Sequence, residues 1–287
     1  MRIVSLLPSA TEILFAIGAG DDVVGVTHEC DFPPKAQHLP QLTSSALPHA
    51  ARAADIDRHV RNFLHGGSSL YHLDAELLER LQPDLIVTQE LCEVCAVSYS
   101  IVDRAARRLS NDPRIISLEP SSLEDVFANI ITLGALTAHE REAADLVTSL
   151  RTRLVTVAQR RCHAQAKPRV LVLEWTDPPM SGGHWTPGLV ELAGGIPVLG
   201  NPGQNSRVLT WDEIEAAQPD MVIVAPCGFD LEKTRQAAAE VPQLANYNVQ
   251  LVDGNAYVNR PGPRLVDTVE IFARLIDDQV RDFVQTQ

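Results

Sequence analysis

Residues 137–165, TAHEREAADLVTSLRTRLVTVAQRRCHAQ, decide how the chain is expected to fold, because they predict one long helix. Thr137 followed by Glu140 has the form of a capping box, which satisfies free backbone N–H groups at a helix start. Pro168 prevents the helix from continuing. At about 1.5 Å per residue the helix would span about 40 Å. The apolar residues recur at steps of three and four, as on a half-buried helix: Leu146, Val147, Leu150, Leu154 and Val157.

On both sides of this helix, strands alternate with helices. Residues 2–7 predict a buried strand, and Ser9 with Glu12 has the form of a second capping box. The alternation begins again after Pro168, with a strand over 169–174. We therefore expect an α/β protein with two Rossmann-like lobes and mostly parallel sheets, joined by a single long backbone helix. The predicted divisions are an N-terminal lobe over 1–136, a linking helix over 137–165 and a C-terminal lobe over 166–287.

A short internal repeat supports two related lobes. Residues 79–87, ERLQPDLIV, resemble residues 215–223, EAAQPDMVI. Each segment predicts the end of a helix, a Gln-Pro-Asp turn and then a buried strand. Chance similarity is the alternative, because a helix followed by Pro-Asp and a strand is common in α/β proteins.

Composition excludes several classes of function. The net charge of −13 gives the chain no basic field with which to replace phosphate counterions, so we expect no nucleic-acid partner. No apolar run approaches the roughly 20 residues that span a bilayer, so we expect no membrane-embedded segment. Arg2 leads directly into a strand-like run rather than a signal peptide. We therefore expect a cytoplasmic chain as written, and a periplasmic or extracellular one if a leader was removed.

Candidate ligand-binding residues follow the predicted strands. In open parallel sheets, ligands bind beyond the carboxyl ends of the strands. The loops there carry reactive and aromatic side chains that suit contact with a large ligand. The candidates are Pro8, Ser9, His28, Glu29, Cys30, Phe32, Glu90, Cys92, Cys95, Trp175, His184, Trp185, Cys227, Phe229 and Arg260.

The cysteines leave three interpretations open. Five cysteines, an odd number, do not indicate a disulfide framework. Cys92 and Cys95 form a C-x-x-C, which is typical of a redox pair or of half a metal site. A metal site would need further ligands, and we name His28 and Cys30 as candidates beside the two cysteines. Small, inert loop residues are the third interpretation.

No pattern in the sequence indicates an enzyme. The chain lacks a G-x-x-x-x-G-K-[ST] phosphate loop, a G-x-S-x-G nucleophile elbow and an H-E-x-x-H metalloprotease helix. We expect neither catalytic residues nor a required cofactor.

The pieces resemble a known family. Residues 2–14, RIVSLLPSATEIL, resemble the start of mature substrate-binding proteins for vitamin B12 and ferric siderophores, which have the class III periplasmic-binding-protein fold. Residues 81–87 resemble that family's third strand. Residues 180–183, with the helix up to Gly195, resemble the start of its second lobe, and residues 260–264 resemble its closing loop.

The resemblance implies a function. It implies a non-enzymatic protein that holds a large iron chelate, haem or corrinoid between two lobes joined by one helix, and delivers it to the permease of an ABC importer. The His28-Glu29-Cys30 and Cys92-x-x-Cys95 loops resemble those of a cobalamin-binding subgroup. Histidine or thiolate coordination of cobalt is a reasonable use of such loops. The alternative is a cytoplasmic metal- or redox-active protein, or an enzyme, that uses the C-x-x-C on the same fold.

Overall fold

The computed structural model describes residues 1–45, 52–65, 70–89, 99–161 and 167–285. The chain forms two compact units. The N-terminal unit comprises Met1–Ala51, Asp55–Glu119 and Phe127–Val147. The C-terminal unit comprises Arg52–Ala54, Pro120–Val126 and Thr148–Gln287.

The N-terminal unit is built on a parallel sheet with the strand order β2-β1-β5-β6. β3 and β4 pair with each other in an antiparallel ladder. The strands are β1 (Ile3–Ser5), β2 (Val23–Val26), β3 (Thr43–Ser45), β4 (Tyr71–Leu73), β5 (Leu85–Thr88) and β6 (Arg114–Ser117). The helices up to the middle of the chain are α1 (Pro8–Ala16), α2 (Ala53–His65), α3 (Ala75–Leu81), α4 (Tyr99–Ala106), α5 (Leu123–Thr137) and α6 (Glu140–Arg161).

The C-terminal unit repeats this design. Its sheet has the order β11-β10-β7-β8, and β9 also pairs with β7. β8 runs antiparallel to β7, and the other pairs are parallel. The strands are β7 (Arg169–Thr176), β8 (Pro179–Ser181), β9 (Ile196–Pro197), β10 (Met221–Val224) and β11 (Val249–Leu251). The helices are α7 (Thr186–Leu192), α8 (Trp211–Ala217), α9 (Leu231–Ala239) and α10 (Leu265–Gln285), with a π-helical turn at Gly254–Val258.

The predicted α/β class with parallel sheets is confirmed, and its physical basis is the burial of whole strands. Every residue of β5 and of β10 is buried. Parallel strands covered on both faces become continuous apolar runs of this kind. Leu6 and Ile86 lie in the core of the N-terminal unit, and Leu171 and Val222 lie in that of the C-terminal unit.

The repeated Gln-Pro-Asp segments adopt the same corner in both units. Gln82 (φ 42°) ends α3 and Gln218 (φ 45°) ends α8, both in the left-handed conformation. The following aspartates then accept backbone hydrogen bonds at the start of β7 and just before β1. Asp84 Oδ2 accepts a hydrogen bond from the backbone N–H of Arg2 at 2.7 Å, and Asp220 Oδ2 accepts one from Arg169 at 2.7 Å.

The helix predicted over 137–165 is shorter at its start, and its predicted capping box is wrong. Thr137 is the last residue of α5, and its hydroxyl donates to the Leu133 carbonyl oxygen at 2.8 Å. Ala138 has φ 58°, which ends α5 before α6 begins at Glu140. The predicted end falls on residues 162–166, outside the described residues.

The Ser9–Glu12 capping box is also wrong. α1 begins at Pro8, with Leu7 as its N-cap and without a side-chain cap. Proline fits the first helical position because its missing N–H would have no helical partner there. Ser9 and Glu12 lie inside the helix and are buried. A capping box is present at the start of α8, where Thr210 and Glu213 make both of its hydrogen bonds.

No helix among the described residues is long and apolar enough to cross a membrane.

Candidate functional site

In the N-terminal unit, the Cys30 thiol is hydrogen-bonded to threonine hydroxyl groups at the carboxyl ends of β1 and β2. Its Sγ lies 3.1 Å from Thr11 Oγ1 and 3.3 Å from Thr27 Oγ1. Thr11 donates to Ser5 Oγ at 2.8 Å, so it accepts the Cys30 S–H. Thr27 accepts the Glu29 backbone N–H at 3.1 Å, which leaves its hydroxyl hydrogen for Cys30 Sγ. The arrangement satisfies a neutral, buried thiol.

This burial predicts the order in which two cysteines react. Cys30 is 2% exposed, whereas Cys227 is exposed. We expect iodoacetamide to alkylate Cys227 in the native protein at least about tenfold faster than Cys30, because Cys30 reacts only after local opening. Peptide mass spectrometry of a time course measures both rates. Protein unfolded in guanidinium should show equal rates, and faster native alkylation of Cys30 would contradict its burial.

His28 is held through one ring nitrogen, its backbone N–H and the packing of its ring. Its backbone N–H donates to Thr43 Oγ1 at 3.2 Å, so the hydroxyl hydrogen of Thr43 points to His28 Nδ1 at 2.7 Å. The ring hydrogen then lies on Nε2, which is buried and makes no hydrogen bond with the described residues, although Glu29 Oε1 lies 3.3 Å away. The Tyr71 ring packs 5.7 Å from the imidazole. His28 is thus a structural link between the loop after β2 and the β3–β4 pair.

The remaining N-terminal candidates fall into two groups. Pro8 starts α1, Ser9 is buried within it, and Phe32 is 42% exposed beside a cis Phe32–Pro33 peptide bond. Glu90, Cys92 and Cys95 lie outside the described residues, so their predicted roles stay predictions. The proposed metal role of His28 and Cys30 with these two cysteines has the same status.

In the C-terminal unit, Trp175, near the carboxyl end of β7, forms an aromatic pair with Phe229 of the loop after β10. Their ring centroids are 5.3 Å apart and the rings are inclined by 58°. The Trp175 indole N–H donates to the Asp177 carbonyl oxygen at 3.2 Å. Phe229 is bound to the neighbouring loop through its carbonyl oxygen, which accepts the Asn255 N–H at 3.0 Å. The pair is therefore fixed in place, with the Phe229 side chain buried and Trp175 half-buried.

Trp185 is fixed in a similar way. Its indole N–H donates to the Val258 carbonyl oxygen at 2.8 Å. The His184 ring stacks against it, with centroids 5.6 Å apart and an angle of 30°. His184 has φ 47°, a left-handed conformation that is uncommon for a residue with a side chain. Burial lowers the pKa of His184, and a hydrogen bond with the Asn205 side chain opposes this effect.

Glu174 is a functional-site candidate that the sequence did not reveal. It lies at the end of β7, and its Oε2 accepts the Gly183 N–H at 3.2 Å. Burial raises the pKa of this carboxyl, while hydrogen bonds from the Ser206 side chain and the Gly183 N–H lower it. A glutamate in a strand of apolar neighbours gives no sequence signal of this kind, because Ser206 reaches it only in the folded chain.

The raised pKa of Glu174 predicts the effect of Glu174→Gln. A carboxyl with a raised folded-state pKa contributes stability below its unfolded pKa and loses it as pH rises through the folded pKa. At pH 7.5 we expect Glu174→Gln to stabilise the protein by about 1 kcal/mol, since the amide keeps an acceptor without the buried charge. Near pH 4 the difference should vanish. Urea unfolding at both pH values measures it.

Glu213→Gln is the matched control for that experiment. Hydrogen bonds from Thr210 and Arg207 lower the pKa of Glu213, so its stabilising effect is present at neutral pH and lost in acid. This variant should destabilise the protein at pH 7.5, the opposite sign. Equal pH dependence in the two variants would contradict the assigned environment of Glu174.

Two further candidates lie in adjoining loops. Cys227 is exposed, and its backbone N–H donates to the Glu174 carbonyl oxygen at 3.0 Å. Arg260 is 7% exposed, and its Nη2 donates to Asn255 Oδ1 at 2.8 Å. Asn255 thus connects Phe229 to Arg260. The structure brings Trp175, Phe229 and Arg260 into one connected strip.

Among the described residues, no group of three or more histidine, cysteine or carboxylate side chains is arranged to hold a metal ion.

Comparisons with known proteins support the resemblance over nearly the whole chain. The Vitamin B12-binding protein of Vibrio cholerae serotype O1 is 22% identical over 280 residues, covering 94% of this chain and 86% of the relative. The periplasmic haem-binding protein RhuT of Roseiflexus sp. RS-1 in apo form has a TM-score of 0.72 at 22% identity, with 97% and 98% of the chains covered. The periplasmic haem-binding protein of Pseudomonas aeruginosa has a TM-score of 0.73 at 20% identity, with 96% and 92% covered.

At these identities the solved structures establish the fold alone. The family comparison goes further, because the model for the periplasmic binding proteins matches residues 3–246. The family description names the periplasm, and the cytoplasmic location expected from the N-terminal sequence gains no support from these proteins. The chain belongs to the periplasmic binding protein family, and it is a substrate-binding protein rather than an enzyme.

Proposed function

We propose that this protein binds a corrinoid such as cobalamin, or another large metal chelate such as haem or a ferric siderophore. The observation that carries the proposal is the fixed aromatic surface of the C-terminal unit. Trp175 and Trp185 both donate their indole N–H groups to backbone carbonyl oxygens, so their rings are held without a ligand. Preorganised rings lose little entropy when a flat ligand binds. The names of the relatives support the same ligand class.

The candidate ligand contacts are assigned to each unit separately. In the C-terminal unit the aromatic rings would face its apolar surface, and Arg260 and Asn255 would meet its polar edge. In the N-terminal unit the proposed contacts are Pro8, Ser9, His28, Glu29, Cys30 and Phe32, with Glu90, Cys92 and Cys95. We further propose that α6 is the linking helix, and that the protein serves an ABC importer.

Fluorescence titration tests the ligand class. The chain has three tryptophans, Trp175, Trp185 and Trp211, and corrinoids and haem absorb in the range where tryptophan emits. We expect aquocobalamin or ferric haem to quench this emission with a dissociation constant in the micromolar range or below. Trp175→Ala should weaken binding by about 30-fold, about 2 kcal/mol, as for an aromatic anchor. Absence of binding for both probes at micromolar concentrations would contradict the proposal.

Trp211→Phe is the control for that titration. Trp211 packs against the C-terminal core and lies outside the proposed surface. Its replacement should leave affinity within about twofold of the wild type. Cell fractionation addresses the transport role, since an importer receives its substrate from outside the cytoplasm. A protein confined to the cytosol of its native host would contradict that role.

The redox or enzymatic alternative rests on Cys92 and Cys95, and no relative described above supports it. Unchanged ligand affinity in Cys92→Ala and Cys95→Ala would leave the binding function independent of that pair.

A further inference from the structure

We propose that Glu174 is a positioning residue for the ligand surface of the C-terminal unit, and that it acts on the ligand through the aromatic side chains that it places. The inference rests on the proposed function and deepens it. Each aromatic residue of that surface lies one or two residues from Glu174 or from a residue hydrogen-bonded to it. They are Trp175, which follows Glu174, Trp185, two residues after Gly183, and Phe229, two residues after Cys227.

Glu174 is an extra residue in the pairing of β7 with β8. Leu173 pairs with Ser181, whereas Trp175 pairs with Met180, so two steps along β7 face one step along β8. A bulge of this kind re-aims the side chains around it and is common beside functional sites. Leu173 lies in the core, and the next two residues are half-buried. The bulge therefore takes the end of β7 out of the regular alternation at the residue that precedes Trp175.

The carboxylate of Glu174 holds the turn that contains Trp185. Its Oε2 accepts the Gly183 N–H at 3.2 Å. Gly183 is buried, and a methyl group on it would lie 2.4 Å from the Ser206 backbone nitrogen, so the chain is also closely packed on that side. The Gly183 carbonyl oxygen accepts the Thr186 N–H at 2.9 Å, which closes the turn around Trp185. The position of this turn thus depends on an acceptor supplied by β7.

The main chain of Glu174 holds the third aromatic residue. Its carbonyl oxygen accepts the Cys227 N–H at 3.0 Å. The Phe229 N–H donates to the Pro226 carbonyl oxygen at 3.2 Å, in the turn that places the Phe229 ring 5.3 Å from that of Trp175. Because substitution at position 174 keeps this main-chain bond, the carboxylate is the part of the arrangement that a variant can remove.

Loss of the carboxylate would leave a buried N–H without its acceptor. Such a group costs free energy comparable to a lost hydrogen bond, so the turn would shift until water reached the Gly183 N–H. Trp185 would move with the turn, while Trp175 would stay in β7. The ligand would then have to order the rings when it binds, and each side chain ordered on binding lowers affinity by about two- to tenfold.

Three substitutions at Glu174 test this assignment. Glu174→Ala and Glu174→Asp should weaken binding of aquocobalamin or ferric haem by about tenfold, because alanine has no acceptor and aspartate is one methylene too short to reach Gly183. Glu174→Gln should bind within about threefold of the wild type, since its amide oxygen can accept the same hydrogen bond.

Fluorine NMR of protein that contains 5-fluorotryptophan shows whether the rings have moved, with each signal assigned from a Trp→Phe variant. The Trp185 signal should shift in Glu174→Ala and Glu174→Asp and keep its wild-type position in Glu174→Gln. The Trp211 signal should stay unchanged in all three variants, because Trp211 packs against the C-terminal core. Glu174→Asp provides the test if the alanine variant does not fold.

Unchanged affinity in Glu174→Ala and Glu174→Asp would overturn the assignment, and so would weaker binding with an unmoved Trp185 signal. Binding by Glu174→Gln as weak as that by Glu174→Ala would also overturn it, because the ligand would then require the charge itself. A wild-type protein that binds neither probe would instead contradict the proposed function, while the fluorine spectra would still show whether Glu174 places Trp185.

Discussion

Replacing Gly254 with alanine is expected to destabilise the C-terminal unit by about 3 kcal/mol and to abolish micromolar ligand binding. A methyl group at this position would lie 2.2 Å from the Pro226 carbonyl oxygen and 2.6 Å from that of Ala225. Both are backbone atoms, so no side-chain rotation relieves the overlap. Overpacking of this kind costs about 3 kcal/mol at the upper end of its usual range. The 225–229 loop would have to move away from the π-helical turn.

That movement would reach the proposed ligand surface. The Ala225 oxygen accepts the Asn259 side-chain N–H at 2.9 Å, and the Phe229 oxygen accepts the Asn255 N–H at 3.0 Å. Shifting the loop separates these groups and displaces Phe229 from Trp175. Tryptophan fluorescence during urea unfolding measures the loss of stability, because all three tryptophans belong to the C-terminal unit.

Gly188→Ala is the control for this prediction. Gly188 lies within α7, and an added methyl group would meet nothing within 4 Å. Alanine is a better helix former than glycine, so this variant should be more stable than the wild type by about 0.5–1 kcal/mol. A Gly254→Ala protein as stable as the wild type would show that the two loops do not approach as closely as described.

The sequence predicted the parts of the fold that depend on local chemistry. The Gln-Pro-Asp corners were found because both halves carry the same residues at the same spacing, and both glutamines adopt the left-handed conformation. The break at Ala138 was missed because alanine gives no signal of a positive φ. The two-residue strand β9 was missed because it is too short to show any periodicity.

The candidate site likewise has features that the sequence predicted and features that it did not. The positions of His184 and Cys227 after strands followed from the strand–helix alternation, whereas Trp175, expected after the strand over 169–174, lies within β7. Their interactions did not, because Asp177, Asn205 and the Glu174 oxygen become partners only when the loops fold. Cys30 and His28 were chosen as candidates for their chemistry. In the structure both side chains instead make hydrogen bonds with neighbouring threonines.

Gly194→Ala is expected to destabilise the protein by about 3 kcal/mol, because the added methyl group would overlap a side chain at the end of α6. Gly194 follows the C-cap of α7, and its φ of 87° is typical of a glycine that ends a helix. The larger effect comes from Arg161, the last residue of α6, because a methyl group on Gly194 would lie 2.0 Å from Arg161 Nε and 2.7 Å from its Cδ. The Arg161 side chain is buried, and its Nη1 donates to Asp277 on α10. It cannot retreat without breaking that ion pair.

A double-mutant cycle separates the overlap with Arg161 from the backbone strain. Gly203 has φ 73° with nothing within 4 Å of an added methyl group, so Gly203→Ala should cost only the strain, about 1 kcal/mol. In an Arg161→Ala background the side-chain overlap is absent, and Gly194→Ala should then cost about as little as Gly203→Ala. The expected coupling free energy is therefore about 2 kcal/mol, large for a residue pair. Additive effects would mean that Arg161 does not fill the space that Gly194 leaves, and that α6 is fixed to the C-terminal unit by other contacts.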